Sequence, residues 1–307
     1  MNRDVSAYHP RDPREFPNWE FEHLDVEYDP ATRAVWMKYK ASAPHYYPLE
    51  MFLEILDLRE SVRALFESGL VRDWPVRYFA AGSNKDTVFA LGGDLAMFVE
   101  IIKQQKRDFL QRYAHVCIDV MHGLRTAFSL PIVTLSAVHG QCLGGGFEGV
   151  LVTDFLIAEE TAKFGVPEVA FNTFPGMGAV SLLTQRVGSA MTETIISNGS
   201  VYSGEEMYRR GIVDVLAPSG GIRATADAWM MEGGEERWLR RRTLADARRN
   251  CFPVSHEELL QIVDLWVDCC FSVTDQDLRH MSRLVAAQKR LPARRKSEPT
   301  QSHDGKG

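Results

Sequence analysis

The sequence predicts an α/β fold, and three features near the middle of the chain carry that prediction. Residues 131–138 form an almost wholly apolar run, which is typical of a parallel strand buried on both faces. A glycine-rich turn follows and leads into a very short helix, and another strand is expected over residues 155–158. Strands that alternate with crossover helices in this way indicate an α/β domain.

The first part of the chain predicts a hairpin, a helix and a strand, in that order. Apolar residues alternate between residues 24 and 39 on either side of a turn at 29–32, which favours a β-hairpin. Pro48 is expected to open a helix that runs to about Ser68. Residues 76–81 read as a strand, and the helical region beyond residue 94 has an apolar stripe at helical spacing, formed by Leu110, Tyr113, Cys117, Val120 and Leu124.

Changes in composition predict four segments. Residues 1–19 are charged and rich in proline, so they are expected to form a flexible arm. Residues 20–222 carry the alternating strands and helices of the core, and residues 223–291 have a helical pattern throughout. The polar stretch 292–307 is expected to be a disordered tail.

Composition excludes several classes of function. A formal net charge of -6, without a basic stripe among aromatic residues, argues against nucleic-acid binding. The N-terminus lacks the apolar centre of a secretory peptide, and no run approaches the roughly 18 apolar residues of a membrane helix, so we expect a cytoplasmic protein without a membrane partner. The five cysteines lack CxxC spacing, so neither a disulfide framework nor a metal site is expected.

The glycine-rich segment 140–148 predicts an anion-stabilising turn. It runs from a buried strand into a helix, whose first N–H groups lack partners inside the helix. Such a turn can hold a phosphate or a developing oxyanion. Gly144, Gly146 and Gly149 also satisfy GxGxxG, but the following helix is too short for a dinucleotide-binding crossover.

Glu148 and Glu168 are the candidate catalytic residues. Each stands at a predicted helix start in an apolar context, where a carboxylate could instead merely complement the helix dipole. Two acids beside one oxyanion turn favour catalysis, because carboxyl groups in an apolar pocket can be separated into an acid and a base. Cys142 and His139 flank the same turn and leave a thiol nucleophile as an alternative, although a small buried thiol is the commoner interpretation.

Several segments together resemble the enoyl-CoA hydratase (crotonase) superfamily. They are GGGFE at 144–148, FGVPE at 164–168, FPGMG at 174–178, FALGGD at 89–94 and YSGEE at 202–206. The resemblance spans about residues 20–290 and implies a crotonase-type ββα spiral core with a C-terminal helical region. Within the superfamily, LGGDLAMF, GVPEVAFNTFPGMGA and LRHMSRLVAAQKR are most similar to the diffusible signal factor (DSF) synthases.

The resemblance implies roles for particular residues. The backbone N–H groups of Gly93 and Gly145 would donate hydrogen bonds to the thioester oxygen. Glu148 and Glu168 would act on the α-proton and the 3-hydroxyl group, one as base and one as acid. The implied activity is dehydration of a 3-hydroxyacyl carrier-protein thioester to a cis-2-enoyl chain, followed by hydrolysis, with no cofactor. Candidates for the acyl pocket, which could equally be ordinary core, are Met177, Trp266 and Leu284.

The expected partners are an acyl carrier protein or CoA thioester and further copies of the chain as a trimer or hexamer. A basic patch that could meet such an anionic carrier, or could simply be a solvated helix face, comprises Arg237, Arg240, Arg241, Arg242, Arg248 and Arg249. The alternatives are an enoyl-CoA hydratase acting on CoA thioesters and a catalytically silent partner of a signalling kinase.

Overall fold

The structure is a computed structural model, and it describes residues 9–288. The strands are β1 (Leu24–Asp29), β2 (Ala34–Tyr39), β3 (Tyr78–Ser83), β4 (Val88–Ala90), β5 (Val133–Val138), β6 (Gln141–Leu143), β7 (Phe155–Glu159), β8 (Lys163–Gly165), β9 (Tyr202–Ser203) and β10 (Val215–Ala217). The α-helices are α1 (Leu49–Glu67), α2 (Leu95–Lys103), α3 (Arg107–Arg125), α4 (Gly145–Leu151), α5 (Ala179–Asn198), α6 (Gly204–Arg209), α7 (Ile222–Met231), α8 (Gly234–Cys251), α9 (His256–Cys270) and α10 (Asp275–Gln288).

A six-stranded sheet forms the base of the fold, in the order β1-β2-β3-β5-β7-β10. The β1–β2 pair is antiparallel, which confirms the predicted hairpin, and the other neighbours are parallel. Successive side chains of β5 enter two different cores: Val133, Leu135 and Ala137 face one, and Val138 faces the other. Burial on both faces explains why residues 131–138 are nearly all apolar, and the predicted α/β class is confirmed.

A smaller four-stranded sheet, in the order β4-β6-β8-β9, positions the loops of the site. Its first three strands are parallel, and β9 pairs antiparallel with β8. The chain passes from β6 directly into α4, and from β8 into a 3₁₀ helix at Pro167–Phe171. Since both segments leave the same side of neighbouring parallel strands, the glycine turn and Glu168 come close together.

The helices largely follow the sequence pattern. Helix α1 begins after Pro48 and ends before Ser68, as predicted. The helical region beyond residue 94 consists of two helices, α2 and α3, because Gln105 between them has a φ of 54°. The C-terminal part is helical from Ile222 onward, and within residues 9–288 no helix combines the length and apolarity needed to cross a membrane.

The described half of the predicted flexible arm is packed onto the core. Phe16 and Trp19 are each 4% exposed, and their rings meet edge to face with centroids 4.8 Å apart. The backbone N–H of Arg11 donates to Ser61 Oγ on α1 at 2.7 Å. The arm therefore gains two aromatic anchors, which a prediction from charge and proline content overlooked. Residues 1–8 and the predicted tail 292–307 lie outside the described residues, and the four segment boundaries stay predictions.

Candidate active site

The turn between β6 and α4 needs glycine for steric reasons. Gly144 has a φ of 54°, a left-handed conformation that side chains other than glycine rarely adopt. A Cβ on Gly146 would lie 2.4 Å from the carbonyl oxygen of Ala90, which would push β4 away from α4. The three successive glycines therefore let the chain that follows β4 approach the first turn of α4.

This close approach brings Gly93 and Gly145 together. A Cβ on Gly145 would lie 3.7 Å from the backbone nitrogen of Gly93, and one on Gly92 would lie 2.6 Å from the nitrogen of Gly145. Over residues 9–288 neither the Gly93 nor the Gly145 N–H is hydrogen-bonded to a protein acceptor. Two unused donors lie side by side, as an oxyanion requires.

Glu148 is buried in the first turn of α4, with 2% of its surface exposed. Its Oε1 atom accepts hydrogen bonds from the backbone N–H groups of Met177 at 2.8 Å and Ala179 at 3.0 Å. Burial raises the pKa of Glu148 above its ordinary value, while the two N–H donors act in the opposite direction. These donors fix the position of the carboxyl group and favour its ionised form.

Glu168 lies on the 3₁₀ helix Pro167–Phe171 and is 9% exposed. Its Oε2 atom is buried and has no hydrogen-bond partner among the described residues. Burial raises the pKa of Glu168, and the negative charge of Glu148 raises it further. A Cβ on Gly144 would lie 3.0 Å from Glu168 Oε1, so this glycine also makes room for the carboxyl group.

One cavity of about 320 Å³ contains every site residue that the sequence predicted. It is lined by Gly93, Gly145, Glu148, Glu168, Met177, Trp266 and Leu284. The thioether sulfur of Met177 lies over Gly145, 2.9 Å from where a Cβ would stand. The remaining wall is mainly apolar, so the polar groups converge at one place in an otherwise hydrophobic site, as in most small-molecule pockets.

Sequence reasoning missed a large part of the cavity wall. The missed residues include Phe98, Tyr113, Cys117, Cys270 and Met281. Tyr113 and Cys117 belong to the apolar stripe of α3, and a stripe at helical spacing looks the same whether it faces a core or a cavity. The ring of Phe98 leaves no room for a side chain at position 93, since a Cβ on Gly93 would lie 2.4 Å from Phe98 Cζ, but this contact cannot be inferred from the sequence.

The thiol-nucleophile interpretation is wrong. Cys142 is fully buried, and burial raises the pKa of its thiol well above the ordinary value. His139 is not placed as its base, because its Nε2 atom is hydrogen-bonded to the carbonyl oxygen of Lys85 at 2.6 Å and no hydrogen bond joins His139 to Cys142 in the described part of the chain. Cys142 is also absent from the residues that line the cavity.

The predicted basic patch on α8 is not a single surface. Arg241 is 7% exposed, lies over the ring of Trp229 and pairs with Glu232 at 2.8 Å. Arg249 is bonded to the buried carboxylate of Asp154. These two arginines point into the fold and stabilise it, so they are not available to meet a carrier protein.

One group of donor atoms could in principle hold a metal ion. Atoms of Glu22, His23 and Glu54 lie within 4.8 Å of one another. The carboxylate of Glu54, however, already accepts hydrogen bonds from the backbone N–H groups of Glu22 and His23, at 3.1 and 2.9 Å, and contacts the His23 ring. This group therefore fastens the segment before β1 to α1.

Comparison with known proteins identifies the family. A family profile described as "Enoyl-CoA hydratase/isomerase" matches residues 80–259, which include both glutamates and both glycines of the predicted oxyanion pair. The chain belongs to the enoyl-CoA hydratase/isomerase family. The predicted membership of the crotonase superfamily is thereby confirmed.

Proteins that are individually similar to this chain include enoyl-CoA hydratases. A protein named "Probable enoyl-CoA hydratase" from Rhizobium meliloti (strain 1021) is 37% identical over 139 residues, 45% of this chain and 50% of that protein. The chain thus matches about half the length of this curated relative. The enoyl-CoA hydratase of Bacillus halodurans has a TM-score of 0.68 at 18% identity, with 85% of this chain and all of that one covered.

Two other solved structures share the fold. Human mitochondrial delta3-delta2-enoyl-CoA isomerase has a TM-score of 0.65 at 19% identity and covers 87% of this chain and 98% of its own. Pseudomonas aeruginosa DspI has a TM-score of 0.60 at 20% identity and covers 87% and 97%. At these identities the likeness concerns the fold alone.

Proposed function

We propose that this protein is a crotonase-type lyase that adds or removes water across C2 and C3 of an acyl thioester. The observation that carries the proposal is the shared cavity, in which two buried glutamates meet two unused backbone N–H groups. The substrate class we propose is a CoA thioester, in line with the names of the family and of the R. meliloti relative.

Gly93 and Gly145 would hold the thioester carbonyl oxygen. Removal of the α-proton turns this oxygen into an enolate, and two fixed N–H donors stabilise that charge more than they stabilise the neutral carbonyl. The donors thus lower the barrier more than they tighten substrate binding. They are already in place before substrate arrives, since neither uses its hydrogen bond elsewhere in residues 9–288.

The two glutamates would have separate roles. The N–H donors of Met177 and Ala179 favour ionised Glu148, and the charge of Glu148 in turn favours protonated Glu168. In dehydration, the Glu148 carboxylate takes the proton from C2 and the Glu168 carboxyl group gives its proton to the departing 3-hydroxyl group. The products are an enoyl thioester and water, and hydration runs the same steps in reverse.

The acyl chain would extend from the thioester along the apolar wall. Phe98, Trp266, Met281 and Leu284 lie on this wall, and they come from α2, α9 and α10. Each buried methylene contributes about 0.8 kcal/mol until the chain meets the end of the cavity. The positions of these helices would therefore set the acyl length that binds best.

A second candidate is the DSF-type reaction, in which a 3-hydroxyacyl carrier-protein thioester is dehydrated and then hydrolysed. The supporting observation is that the three segments that most resemble the DSF synthases contribute much of the cavity wall. The wall residues are Leu95 and Phe98 from LGGDLAMF, Pro167, Glu168, Phe171, Thr173 and Met177 from GVPEVAFNTFPGMGA, and Met281 and Leu284 from LRHMSRLVAAQKR. The carboxylate that takes the α-proton could also orient a water molecule toward the thioester.

One experiment separates the candidates. The purified protein is given matched 3-hydroxyacyl-CoA and 3-hydroxyacyl carrier-protein substrates, and enoyl thioester and free fatty acid are both measured by mass spectrometry. Enoyl thioester without free acid supports a hydratase, and free cis-2-enoic acid from the carrier-protein substrate supports the DSF-type reaction. If neither substrate reacts, the lyase proposal is wrong and a silent partner of a signalling kinase becomes the better hypothesis. The trimer or hexamer stays a prediction.

A further inference from the structure

A second cavity, of about 220 Å³, shares no residue with the acyl cavity. It lies where the end of α3 meets α5 and the junction of α8 with α9. Three arginines and two aspartates are among its lining residues: Arg125, Arg186, Arg248, Asp154 and Asp214. Nothing in the proposed lyase reaction uses this cavity.

Both aspartates of the cavity already have hydrogen-bond donors and an arginine partner. Asp154 accepts hydrogen bonds from the N–H and the hydroxyl group of Thr134 and pairs with Arg249. Asp214 accepts a hydrogen bond from the N–H of Leu156 at 2.7 Å and pairs with Arg186 at 3.2 Å. Each carboxylate thus has its own arginine, and the positive charges of Arg125 and Arg248 remain.

Arg125 is half-buried and has only neutral hydrogen-bond acceptors among residues 9–288. Its guanidinium group donates to Gln185 Oε1 at 2.8 Å and to the carbonyl oxygen of Phe252 at 3.5 Å. Burial lowers the pKa of Arg125, and the charge of Asp154 acts in the opposite direction. The pKa is lowered further by three neighbouring arginines, Arg186, Arg249 and Arg248.

We propose that this cavity binds a small phosphate-class dianion between Arg125 and Arg248. A planar guanidinium group offers paired N–H donors that match the oxygens of a phosphate, and such charge-assisted bonds are strong. Both hydrogen bonds of Arg125 come from Nη2, so its Nε and Nη1 donors have no acceptor among the described residues and remain for a ligand. A dianion would also balance the excess positive charge.

The cavity is accessible to such a ligand. Arg248 is exposed, and Phe252 at the rim has 61% of its surface exposed. Two sources carry the same chemistry, inorganic phosphate and the phosphomonoester of a small metabolite. A phosphomonoester could place its organic part against the exposed ring of Phe252, whereas inorganic phosphate would use only the arginines.

Calorimetric titration of the 307-residue protein with inorganic phosphate tests the site. Ionic strength is held constant with sodium chloride, and glycerol 3-phosphate is titrated in parallel. We expect saturable binding that weakens about tenfold or more in Arg125→Met, since the variant loses its charge-assisted hydrogen bonds to the anion. Arg112→Met, which removes an exposed arginine of the same helix, should leave the affinity unchanged.

Arg248→Met keeps the test decisive if Arg125→Met fails to fold, because the exposed Arg248 side chain has no hydrogen-bond partner in the described chain. This variant should also weaken binding several-fold. Tighter binding of glycerol 3-phosphate than of phosphate would assign the ligand as a phosphomonoester. The proposal is overturned if neither compound gives saturable heat, or if wild type, Arg248→Met and Arg112→Met bind phosphate equally well.

Discussion

Glu148 and Glu168 lie in the same buried cavity, close enough for the charge of Glu148 to raise the pKa of Glu168. Their surroundings nevertheless differ, because Glu148 Oε1 accepts two backbone hydrogen bonds and Glu168 Oε2 accepts none from residues 9–288. The pair therefore holds a single proton most stably on Glu168. Two carboxyl groups of the same type become a base and an acid through their environments.

Replacing either glutamate with glutamine should abolish most turnover. An amide of the same size can neither take nor give the required proton, so we expect kcat to fall about 10²–10⁴-fold in Glu148→Gln and in Glu168→Gln. Glu159→Gln is the matched control, since Glu159 is a buried glutamate that accepts a hydrogen bond from the Gly220 N–H outside the cavity. Turnover near the wild-type rate in either cavity variant would exclude the two-carboxylate mechanism.

Glu168→Gln should also change how stability depends on pH. The pKa of Glu168 is raised in the folded protein, so the folded state binds more protons than the unfolded state and stability falls as pH rises through the raised pKa. A neutral amide removes this penalty. In urea titrations the variant should gain stability relative to wild type at about pH 9 and show little gain at about pH 4. A gain of equal size at both pH values would mean that the ionisation of Glu168 is not its cause.

Enlarging Gly145 should impair catalysis more than folding. In Gly145→Val the side chain would stand in the space under Met177 and obstruct the N–H donor, and loss of one oxyanion donor lowers kcat by about 10²–10³-fold. Gly149→Ala is the control in the same helix, because its Cβ would meet only the Tyr47 hydroxyl at 3.7 Å. A well-folded Gly145→Val enzyme with normal kcat would remove Gly145 from the oxyanion site.

The sequence was informative where the conformation or close packing of the backbone requires a particular residue type. Gly144 and Gly146 are needed because a side chain would clash or strain the turn, so the anion-stabilising loop could be recognised before its geometry was known. The wall of a cavity requires no particular residue type. Cys117 and Met281 have the residue types of a core, and their exposure to a cavity depends on how α3 and α10 pack, which local sequence does not specify.

The basic patch on α8 was predicted wrongly for a related reason, because contacts between distant elements decide where its arginines lie. Arg241 and Arg249 stand in a run of arginines that suggests a solvated face, but the ring of Trp229 and the carboxylate of Asp154 draw them into the fold. Both partners are distant in sequence or on another element, so only the tertiary structure reveals them. Phe16 and Trp19 show the converse, since two aromatic residues are enough to anchor a charged, proline-rich segment.

Lys85→Met should stabilise the protein near neutral pH. Lys85 is 4% exposed, its ammonium group lies 5.0 Å from the centroid of the Tyr39 ring, and no described carboxylate pairs with it. Burial lowers the pKa of Lys85 to about 8. Since the folded pKa is below the unfolded one, the penalty is full below about pH 8 and disappears as pH rises toward the unfolded value.

The expected gain is roughly 1–3 kcal/mol at neutral pH, measured as the free energy of unfolding in urea. The gain should shrink steadily above about pH 8, because the lysine of the folded wild type then loses its charge, and with it the cost of burial, while the unfolded state is still protonated. Lys103→Met replaces an exposed lysine of α2 and should leave the unfolding free energy nearly unchanged. A Lys85→Met protein that is less stable than wild type at neutral pH would contradict the assignment of Lys85 as an uncompensated buried charge.

Trp266 and Leu284 should determine the length of the preferred acyl chain. Trp266 packs against Phe98, with ring centroids 5.4 Å apart. It also lies against the backbone of Gly176, because a Cβ added there would be only 2.3 Å from the Trp266 Cγ atom. The ring is thus held from two sides and forms a fixed part of the cavity wall. Replacing either residue with alanine opens space that two to three further methylene groups could fill, each favouring binding by about 0.8 kcal/mol, or about fourfold.

We therefore expect Trp266→Ala and Leu284→Ala to shift the maximum of kcat/KM toward longer 3-hydroxyacyl thioesters in a series of graded length. Leu265→Ala is the matched control, because Leu265 precedes Trp266 on α9 but has 63% of its surface exposed and faces away from the cavity. The control should keep the wild-type length profile. If both cavity variants fold and also keep that profile, the acyl chain runs along another part of the wall, and Trp266 and Leu284 act only as core residues.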